Sequence, residues 1–332
     1  MKNNFSSTYS ILFISLLALL CASDSVAESA TAPSTTFVEQ AVSLTTPTGI
    51  LYGSEIIPNA ATPVPVVLLH SGSGPADRNG NSRALPGANN SLRLLAEALA
   101  RNGIASVRYD KRAIGESAKA ATSEADLRFS TYVDDAAGWV KQLRADKRFS
   151  KIVIAGHSEG SLIGMLAAAQ AATDGFISIA GIAQSADDVL RVQLKPKLPP
   201  ELYAEADRCL TTLKAGKTCD NPPPALASLF RPSVQPYLIS WFKFTPRDII
   251  GSLKQPVLIV QGDRDIQVAV AEANALKAAA PGARLAVIGG MNHVLKIVGD
   301  DAELQKRSYS DSALPVAPEM IAAMAQFIAG LK

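Results

Sequence analysis

A tight turn that carries a serine is the sharpest chemical feature of this sequence. The pentapeptide Gly-His-Ser-Glu-Gly at residues 156–160 directly follows a short apolar run, Lys151–Ala155, and precedes an Ala-rich helical pattern. Strand, sharp turn and helix in this order expose the serine hydroxyl at the tip of the turn, where helix N–H groups favour negative charge. Ser158 is therefore the predicted nucleophile. The alternative is a glycine turn that only packs a helix against a strand.

A serine hydroxyl is a weak nucleophile at neutral pH and needs a neighbouring base. The chain holds three histidines, His70, His157 and His293. His157 lies inside the turn and His70 ends an earlier apolar run, so we expect both to hold loop backbone through hydrogen bonds. His293 follows the run Leu285–Ile288 and a pair of glycines. His293 is therefore the predicted base.

The base must in turn be oriented by an acid. Two candidates, Asp263 and Asp265, follow the apolar run Pro256–Gln261. The carboxyl ends of parallel strands meet at one edge of a sheet, which places both aspartates within range of His293. We favour Asp265, because two further residues let the chain turn back toward the histidine, and keep Asp263 as the alternative.

A glycine-rich loop offers backbone donors for the negative oxygen of a tetrahedral intermediate. It reads Ser-Gly-Ser-Gly-Pro-Ala-Asp-Arg-Asn-Gly at residues 71–80, after the run Pro65–His70. An oxyanion hole needs two N–H groups, one from the residue after the nucleophile, here Glu159, and one from this loop. We expect the loop donor to be Ser73, with Gly72 as the alternative. The competing interpretation is that the glycines only form a turn.

Short β-rich runs alternate with helical patterns, and this alternation predicts the scaffold. The predicted strands are Phe37–Leu44, Gly49–Ile57, Pro65–His70, Ile104–Tyr109, Lys151–Ala155, Phe176–Ala180, Pro256–Gln261 and Leu285–Ile288. The predicted helices are Ser91–Asn102, Tyr132–Arg144, Glu159–Ala172, Val268–Ala280 and Ala317–Leu331. Such alternation is typical of an α/β fold with a mostly parallel sheet and helices on both faces. We assign residues 37–182 and 254–332 to this core.

One segment, residues 183–253, interrupts the alternation. It is rich in proline, it has no run typical of a buried strand, and stretches such as Pro200–Lys214 show helical spacing. A segment of this length is too long for a structureless loop in a compact domain. We expect a helical cap or lid inserted after the sixth strand. Near its end, Trp241, Phe242 and Phe244 form an apolar cluster that either lines an acyl pocket or packs at the base of the cap.

Residues 1–27 have the pattern of a secretory signal peptide. Lys2 supplies a positive charge, residues 11–20 form a nearly continuous apolar run, and small residues end at Ala27. The run would span about 15 Å as a helix, too short for a hydrocarbon core of roughly 30 Å. We expect cleavage after Ala27, no stable membrane span afterwards, a flexible segment at residues 28–36, and export to the periplasm or beyond.

The cysteines fit an exported protein. Cys21 is a weak lipidation site, because Leu20 precedes it where a small residue is normal. After cleavage the mature chain keeps Cys209 and Cys219, which lie in one short segment. Because disulfides persist in oxidising compartments, we expect a local disulfide between them rather than two free thiols.

The composition excludes several classes of protein. Hydrophobic residues make up 48% of the chain and charged residues 19%, which is ample for a packed core and unlike a disordered chain. The 32 Lys and Arg residues nearly balance the 30 Asp and Glu residues, with no basic block suited to phosphates, so nucleic acid is not expected as a partner. No His or Cys spacing suggests a metal site, and no cofactor is expected.

Four motifs together resemble a known superfamily. They are Ser-Gly-Ser-Gly-Pro-Ala-Asp-Arg-Asn-Gly at 71–80, Arg-Tyr-Asp-Lys-Arg at 108–112, Gly-His-Ser-Glu-Gly at 156–160 and Gln-Gly-Asp-Arg-Asp at 261–265. From about residue 37 to 331 the chain resembles the α/β-hydrolases, more narrowly the serine aminopeptidase S33-like and EstD-like esterases. The resemblance implies Ser158 as nucleophile, Asp265 as acid and His293 as base. It also implies that residues 108–112 form a structural loop whose charges pair near the oxyanion loop, with Asp77 as a partner.

These observations predict an exported serine hydrolase that cleaves small-molecule carboxylic esters of short to medium acyl chains through an acyl-enzyme. One alternative is an aminopeptidase or amidase of the S33 type, which would need an acidic or polar group in the cap to hold a free amine. The other is a non-catalytic binding protein on the same fold. The sequence gives no oligomeric state.

Overall fold

A computed structural model describes residues 36–83 and 86–332. The predicted signal peptide with Cys21, and residues 28–35 of the predicted flexible segment, lie outside the described residues. No helix in the described ranges is long and apolar enough to cross a lipid bilayer.

The described strands form one sheet with mostly parallel pairing. In chain order they are β1 (Phe37–Thr46), β2 (Gly49–Pro58), β3 (Val64–His70), β4 (Ala105–Tyr109), β5 (Phe149–His157), β6 (Gly175–Ile179), β7 (Val257–Gly262) and β8 (Arg284–Ile288). Their spatial order is β1-β2-β4-β3-β5-β6-β7-β8. Strand β2 is antiparallel to β1 and β4, and the pairs from β4 through β8 are parallel. The predicted fold class is confirmed.

Helices cover both faces of the sheet. In chain order the α-helices of the described residues are α1 (Ser91–Arg101), α2 (Phe129–Ala145), α3 (Glu159–Gln170), α4 (Ala186–Leu194), α5 (Pro200–Lys214), α6 (Ala227–Phe230), α7 (Gln235–Trp241), α8 (Pro246–Ile250), α9 (Val270–Ala279), α10 (Ala302–Ser308) and α11 (Pro318–Ala329). Apolar residues of α1 and α11 pack on one face, and those of α2, α3 and α9 on the other.

Strand β3 shows why its sequence is a continuous apolar run. Val66 and Leu68 point toward the cluster that contains α2 and α3, while Val67 and Leu69 point toward the cluster that contains α1 and α11. Successive side chains of a strand face opposite sides, so a strand buried on both faces needs apolar residues at every position.

Residues 180–256 are all described, and their secondary structure is helical or irregular. Side chains from α4 to α7 form a third apolar cluster, which is separate from the two beside the sheet. Ile250 of α8 instead packs into the main core with α3 and α9. The packing therefore changes at about α8, a few residues before the predicted end of the inserted segment at residue 253.

Candidate active site

Ser158 occupies the sharp turn between β5 and α3. Its backbone has φ 56° and ψ −123°, a conformation that costs a non-glycine residue about 1–3 kcal/mol. The surrounding chain holds it there, because the Ser158 N–H donates to the Ile179 carbonyl at 2.8 Å. Ser158 as a whole residue is only partly buried.

The glycines on either side of Ser158 are required by close backbone packing. A Cβ atom at Gly156 would lie 2.0 Å from the carbonyl oxygen of Gly160. A Cβ atom at Gly160 would lie 2.6 Å from the carbonyl oxygens of both His70 and Ser71. The turn is thus packed tightly against its own helix and the end of β3.

His293 and Asp265 form a hydrogen-bonded pair at the carboxyl edge of the sheet. His293 Nδ1 lies 2.8 Å from Asp265 Oδ2, and both side chains are almost fully buried. The other carboxylate oxygen, Oδ1, accepts hydrogen bonds from the backbone N–H groups of Gln267 and Val268 at 2.8 and 3.0 Å. Hydrogen bonds therefore fix both carboxylate oxygens of Asp265.

The carboxyl group of Asp265 is ionised at neutral pH. Burial acts to raise the pKa of Asp265, but the hydrogen bonds from His293 and the two backbone donors outweigh it and lower the pKa below its ordinary value. An ionised carboxylate can only accept a hydrogen bond, so Nδ1 of His293 carries the hydrogen and donates it to Asp265. The opposite nitrogen, Nε2, is then free to accept a proton.

Asp263, the alternative acid, stabilises the loop that carries His293. Its Oδ1 accepts the N–H of Gly290 at 2.7 Å, which fixes the glycine turn before His293. The Arg264 N–H donates to the Met291 carbonyl at 3.0 Å and adds a second link between the two loops. Of the two aspartates, the one that contacts His293 is Asp265.

The other two histidines hold loop backbone, as expected. His157 Nε2 donates to the His293 carbonyl at 2.8 Å, so the residue before Ser158 is tied to the predicted base. His70 Nδ1 donates to the Ser71 carbonyl at 2.9 Å. Burial lowers the pKa of each to about 3, assisted by His293 for His157 and by Lys111 for His70, so both rings are neutral donors.

The glycine-rich loop packs directly on Ser158. A Cβ atom at Gly72 would lie 3.2 Å from the Ser158 Cβ, so the loop backbone approaches the nucleophile closely. Ser73, the next residue, is exposed. Glu159, whose N–H is the other predicted donor, begins α3 immediately after the nucleophile. The two predicted donors therefore belong to different chain segments, and the backbone of each segment lies beside Ser158.

Three comparisons place this geometry among known proteins. A family model described as serine aminopeptidase, S33, matches residues 88–228, which include Ser158 but neither Asp265 nor His293. Esterase EstD of Thermotoga maritima is 30% identical over 218 residues, which cover 66% of this chain and 50% of the relative. The match thus spans about half the length of that curated relative.

Solved structures share the fold over most of the chain. Est1E from Butyrivibrio proteoclasticus superposes with a TM-score of 0.56 at 18% identity, covering 87% of this chain and 99% of that one. The esterase Pf2001 of Pyrococcus furiosus gives 0.53 at 17% identity, covering 89% and 93%. The chain therefore has the α/β-hydrolase fold.

Charged side chains of the Arg108–Arg112 segment form ion pairs, as expected, but one of the partners differs from the expected one. Arg108 pairs with Glu39, and Asp110 pairs with Arg78 at 2.7 Å. Asp77 instead accepts the backbone N–H groups of residues 79 and 81. The expected pairing with Asp77 is wrong, because its carboxylate already closes the turn of its own loop.

The aromatic residues near the end of the inserted segment separate into two groups. Trp241 stacks on Phe129 at 5.8 Å between ring centroids, and Phe244 lies 5.7 Å from the same ring. Both are partly exposed at the junction with the core. Phe242 is 1% exposed and packs inside the α4–α7 cluster. Phe242 therefore packs inside this helical cluster and is not an accessible pocket wall.

Two further residues beside the site were missed by sequence reasoning. Tyr237, on α7, donates its hydroxyl to Glu159, and Lys111 lies 3.8 Å from the other oxygen of the same carboxylate. Lys111 belongs to a motif that the sequence singled out, but its charge was assigned to loop structure alone.

In the described ranges, no group of three or more His, Cys, Asp or Glu side chains is arranged to hold a metal ion.

Proposed function

We propose that this α/β-hydrolase cleaves carboxylic esters through an acyl-enzyme formed on Ser158. The observation that carries the proposal is the His293–Asp265 pair. The His293 carbonyl accepts a hydrogen bond from His157, the residue directly before Ser158. This arrangement supplies a nucleophile, a base with a free Nε2 and an orienting acid in neighbouring loops.

In the proposed reaction, Ser158 Oγ attacks the ester carbonyl while His293 Nε2 takes the hydroxyl proton. The carbonyl oxygen becomes negative and is held by the N–H groups of Glu159 and Ser73. His293 then gives its proton to the leaving alcohol as the carbon–oxygen bond breaks. Water repeats the sequence on the acyl-enzyme, which releases the acid and restores Ser158.

Ester substrates are favoured over peptides with a free amine because two buried carboxylates, one next to Ser158 and one in the helical cluster, are already paired. Glu159 beside Ser158 is engaged by Lys111 and Tyr237. Asp187, near the start of the inserted helices, is paired with Arg191 at 2.7 Å and Lys214 at 3.0 Å. Neither is free to bind an ammonium group. Trp241 and Phe244 are the proposed apolar lining for short to medium acyl chains.

The replacement Ser158→Ala tests the proposal. Loss of the nucleophile is expected to reduce kcat about a million-fold while the thermal unfolding midpoint stays close to that of the parent protein. The assay is hydrolysis of p-nitrophenyl esters of increasing chain length, run beside aminoacyl p-nitroanilides. Retention of a tenth of the activity would exclude Ser158, and preference for the anilides would favour an aminopeptidase. A parent protein that fails to react with a fluorophosphonate would be a binding protein.

We further propose export to the periplasm or beyond after removal of residues 1–27. A disulfide joins Cys209 and Cys219, whose Cα atoms lie 5.1 Å apart, and such bonds persist in oxidising compartments. The intact mass of protein isolated from the periplasm tests both features, since the expected chain starts at Glu28 and carries the disulfide. A mass that includes residues 1–27, or added lipid on Cys21, contradicts the proposal.

A further inference from the structure

The side chain of Lys111 is buried and donates hydrogen bonds to the backbone of the glycine-rich loop at residues 71–80. It is 3% exposed, and its Nζ donates to the carbonyl of Gly72 and, at 3.3 Å, to the carbonyl of Gly74. Hydrogen bonds from a charged donor are stronger than those between neutral groups, so these contacts restrain both peptide planes. Lys111 is therefore one of the side chains that fix the loop conformation beside Ser158.

The hydrogen bond from Lys111 to the Gly72 carbonyl sets the orientation of the Gly72–Ser73 peptide. The carbonyl of Gly72 and the N–H of Ser73 belong to the same planar trans peptide and point in opposite directions. Lys111 lies on the carbonyl side, so the Ser73 N–H points away from Lys111. Gly72 itself packs against the Ser158 side chain, which sets this peptide beside the nucleophile.

Lys111 is itself held by groups from the nucleophile turn and the inserted helices. Its Nζ is 3.8 Å from Glu159 Oε2, and the Tyr132 ring lies beneath it with 5.8 Å to the centroid. Glu159 Oε1 accepts the Tyr237 hydroxyl from α7. Burial lowers the pKa of Lys111, whereas the Glu159 charge opposes this shift and favours the ammonium. The chain of contacts runs from α7 to the glycine loop.

We propose that Lys111 is a positioning residue for the oxyanion hole, which orients and polarises the Gly72–Ser73 peptide so that its N–H binds the developing oxyanion. The inference rests on the proposed function. A carbonyl that accepts a charged hydrogen bond draws electron density through its peptide, which makes the N–H of the same peptide a better donor. The ammonium thereby acts on the transition state without touching the substrate.

The test is Lys111→Met, which keeps the length and apolar stem of the side chain but removes the charge. Loss of an oxyanion donor costs on the order of 10²–10³ in kcat, so loss of its orientation should cost about 10- to 100-fold, with KM changed by about twofold or less. Rates are expressed per active site titrated with a fluorophosphonate. Binding of a trifluoromethyl ketone, whose adduct places an oxyanion in the same hole, should weaken by a similar factor.

Lys277→Met is the matched control. Lys277 Nζ also donates to two backbone carbonyls, those of Pro281 and Ala283 at 2.7 and 2.6 Å, but on the turn after α9. It should leave kcat per titrated site and ketone affinity unchanged. A purely structural role for Lys111 would lower the number of titratable sites and leave kcat per site intact, and this result would overturn the inference.

If Lys111→Met does not fold, Tyr237→Phe decides, with Tyr203→Phe on α5 as its control. A several-fold lower kcat at unchanged KM in Tyr237→Phe alone supports the proposed chain of contacts, and an unchanged kcat overturns it. Undiminished turnover in Lys111→Met, with Ser158→Ala inactive, overturns this inference but leaves the proposed function standing. A wild-type protein without esterase activity overturns both.

Discussion

The carboxyl edge of the sheet and the cluster of helices α4–α7 are built by different means. At the edge, backbone packs on backbone: Gly160 against the end of β3, and Gly262 against Met291 of the His293 loop. In the helical cluster, side-chain hydrogen bonds and a disulfide hold the segments together. The Gln235 amide bonds both the N–H and the carbonyl of Cys219, and the Cys209–Cys219 disulfide links the same segment.

This difference predicts different responses to change. Backbone atoms that pack on one another cannot rotate away as side chains can. We therefore expect a substitution at the sheet edge either to leave its geometry unchanged or to disrupt it completely. Side-chain contacts can be rearranged at smaller cost, and α7 contacts the edge through single groups such as Tyr237 on Glu159. We therefore expect changes at the edge to affect turnover, and changes in the helical cluster to affect substrate preference, except at Tyr237, whose contact with Glu159 reaches the edge.

The largest effect in this comparison is expected at Asp265. Asp265→Asn should lower kcat about 10⁴-fold, because an amide presents a donor to His293 Nδ1 and favours the wrong tautomer. Asp263→Asn is the matched control, since the amide oxygen can still accept the Gly290 N–H. Steady-state kinetics on one p-nitrophenyl ester separates them. If the two variants exchange ranks, the assignment of the acid is wrong.

A smaller effect is expected at Gly160. In Gly160→Ala the new methyl group meets the carbonyl oxygens of His70 and Ser71, and backbone atoms cannot rotate away. We expect a loss of about 3 kcal/mol in the free energy of unfolding, the upper range for overpacking. Urea denaturation measures it. Gly282→Ala, where no atom lies within 4 Å of the added Cβ, should match the parent protein. Equal urea midpoints for the two variants would show that the backbone at the sheet edge can shift to accommodate the added methyl group.

The elements and the order Ser158, Asp265, His293 could be predicted because their signals are local. Each follows an apolar run, and the turn at 156–160 needs small residues at fixed positions. The contacts of Lys111 with Glu159, and of Glu159 with Tyr237, could not be predicted in this way. They join residues that are far apart in the chain and on three different elements, and no residue pattern marks such a pairing.

Neighbouring aromatic residues show a second limit. Trp241 ends α7 and Phe242 follows it, so their side chains leave the backbone in directions about 100° apart. Trp241 reaches the Phe129 ring, whereas Phe242 turns into the helical cluster. A composition that is equally apolar at both positions gives no sign of which side faces the core.

The smallest effect on turnover is expected when the Cys209–Cys219 disulfide is removed. The bond closes a loop with a sequence separation of 10, so the variant Cys209→Ser/Cys219→Ser should lose up to about 3 kcal/mol through added freedom of the unfolded chain. Because both cysteines belong to the α4–α7 cluster, the loss should loosen that cluster and leave the sheet edge in place.

The expected result is a changed preference along the p-nitrophenyl ester series, with turnover of the shortest ester nearly unchanged. Trp241 and Phe244 would move with the loosened helices, while Ser158, Asp265 and His293 are fixed by the sheet. Hydrogen exchange should rise in residues 183–242 and not in β5 or β7. An identical chain-length profile in the variant would count against a role for these aromatic side chains in binding the acyl group, and equal loss of protection in β5 would show that the two regions unfold as one.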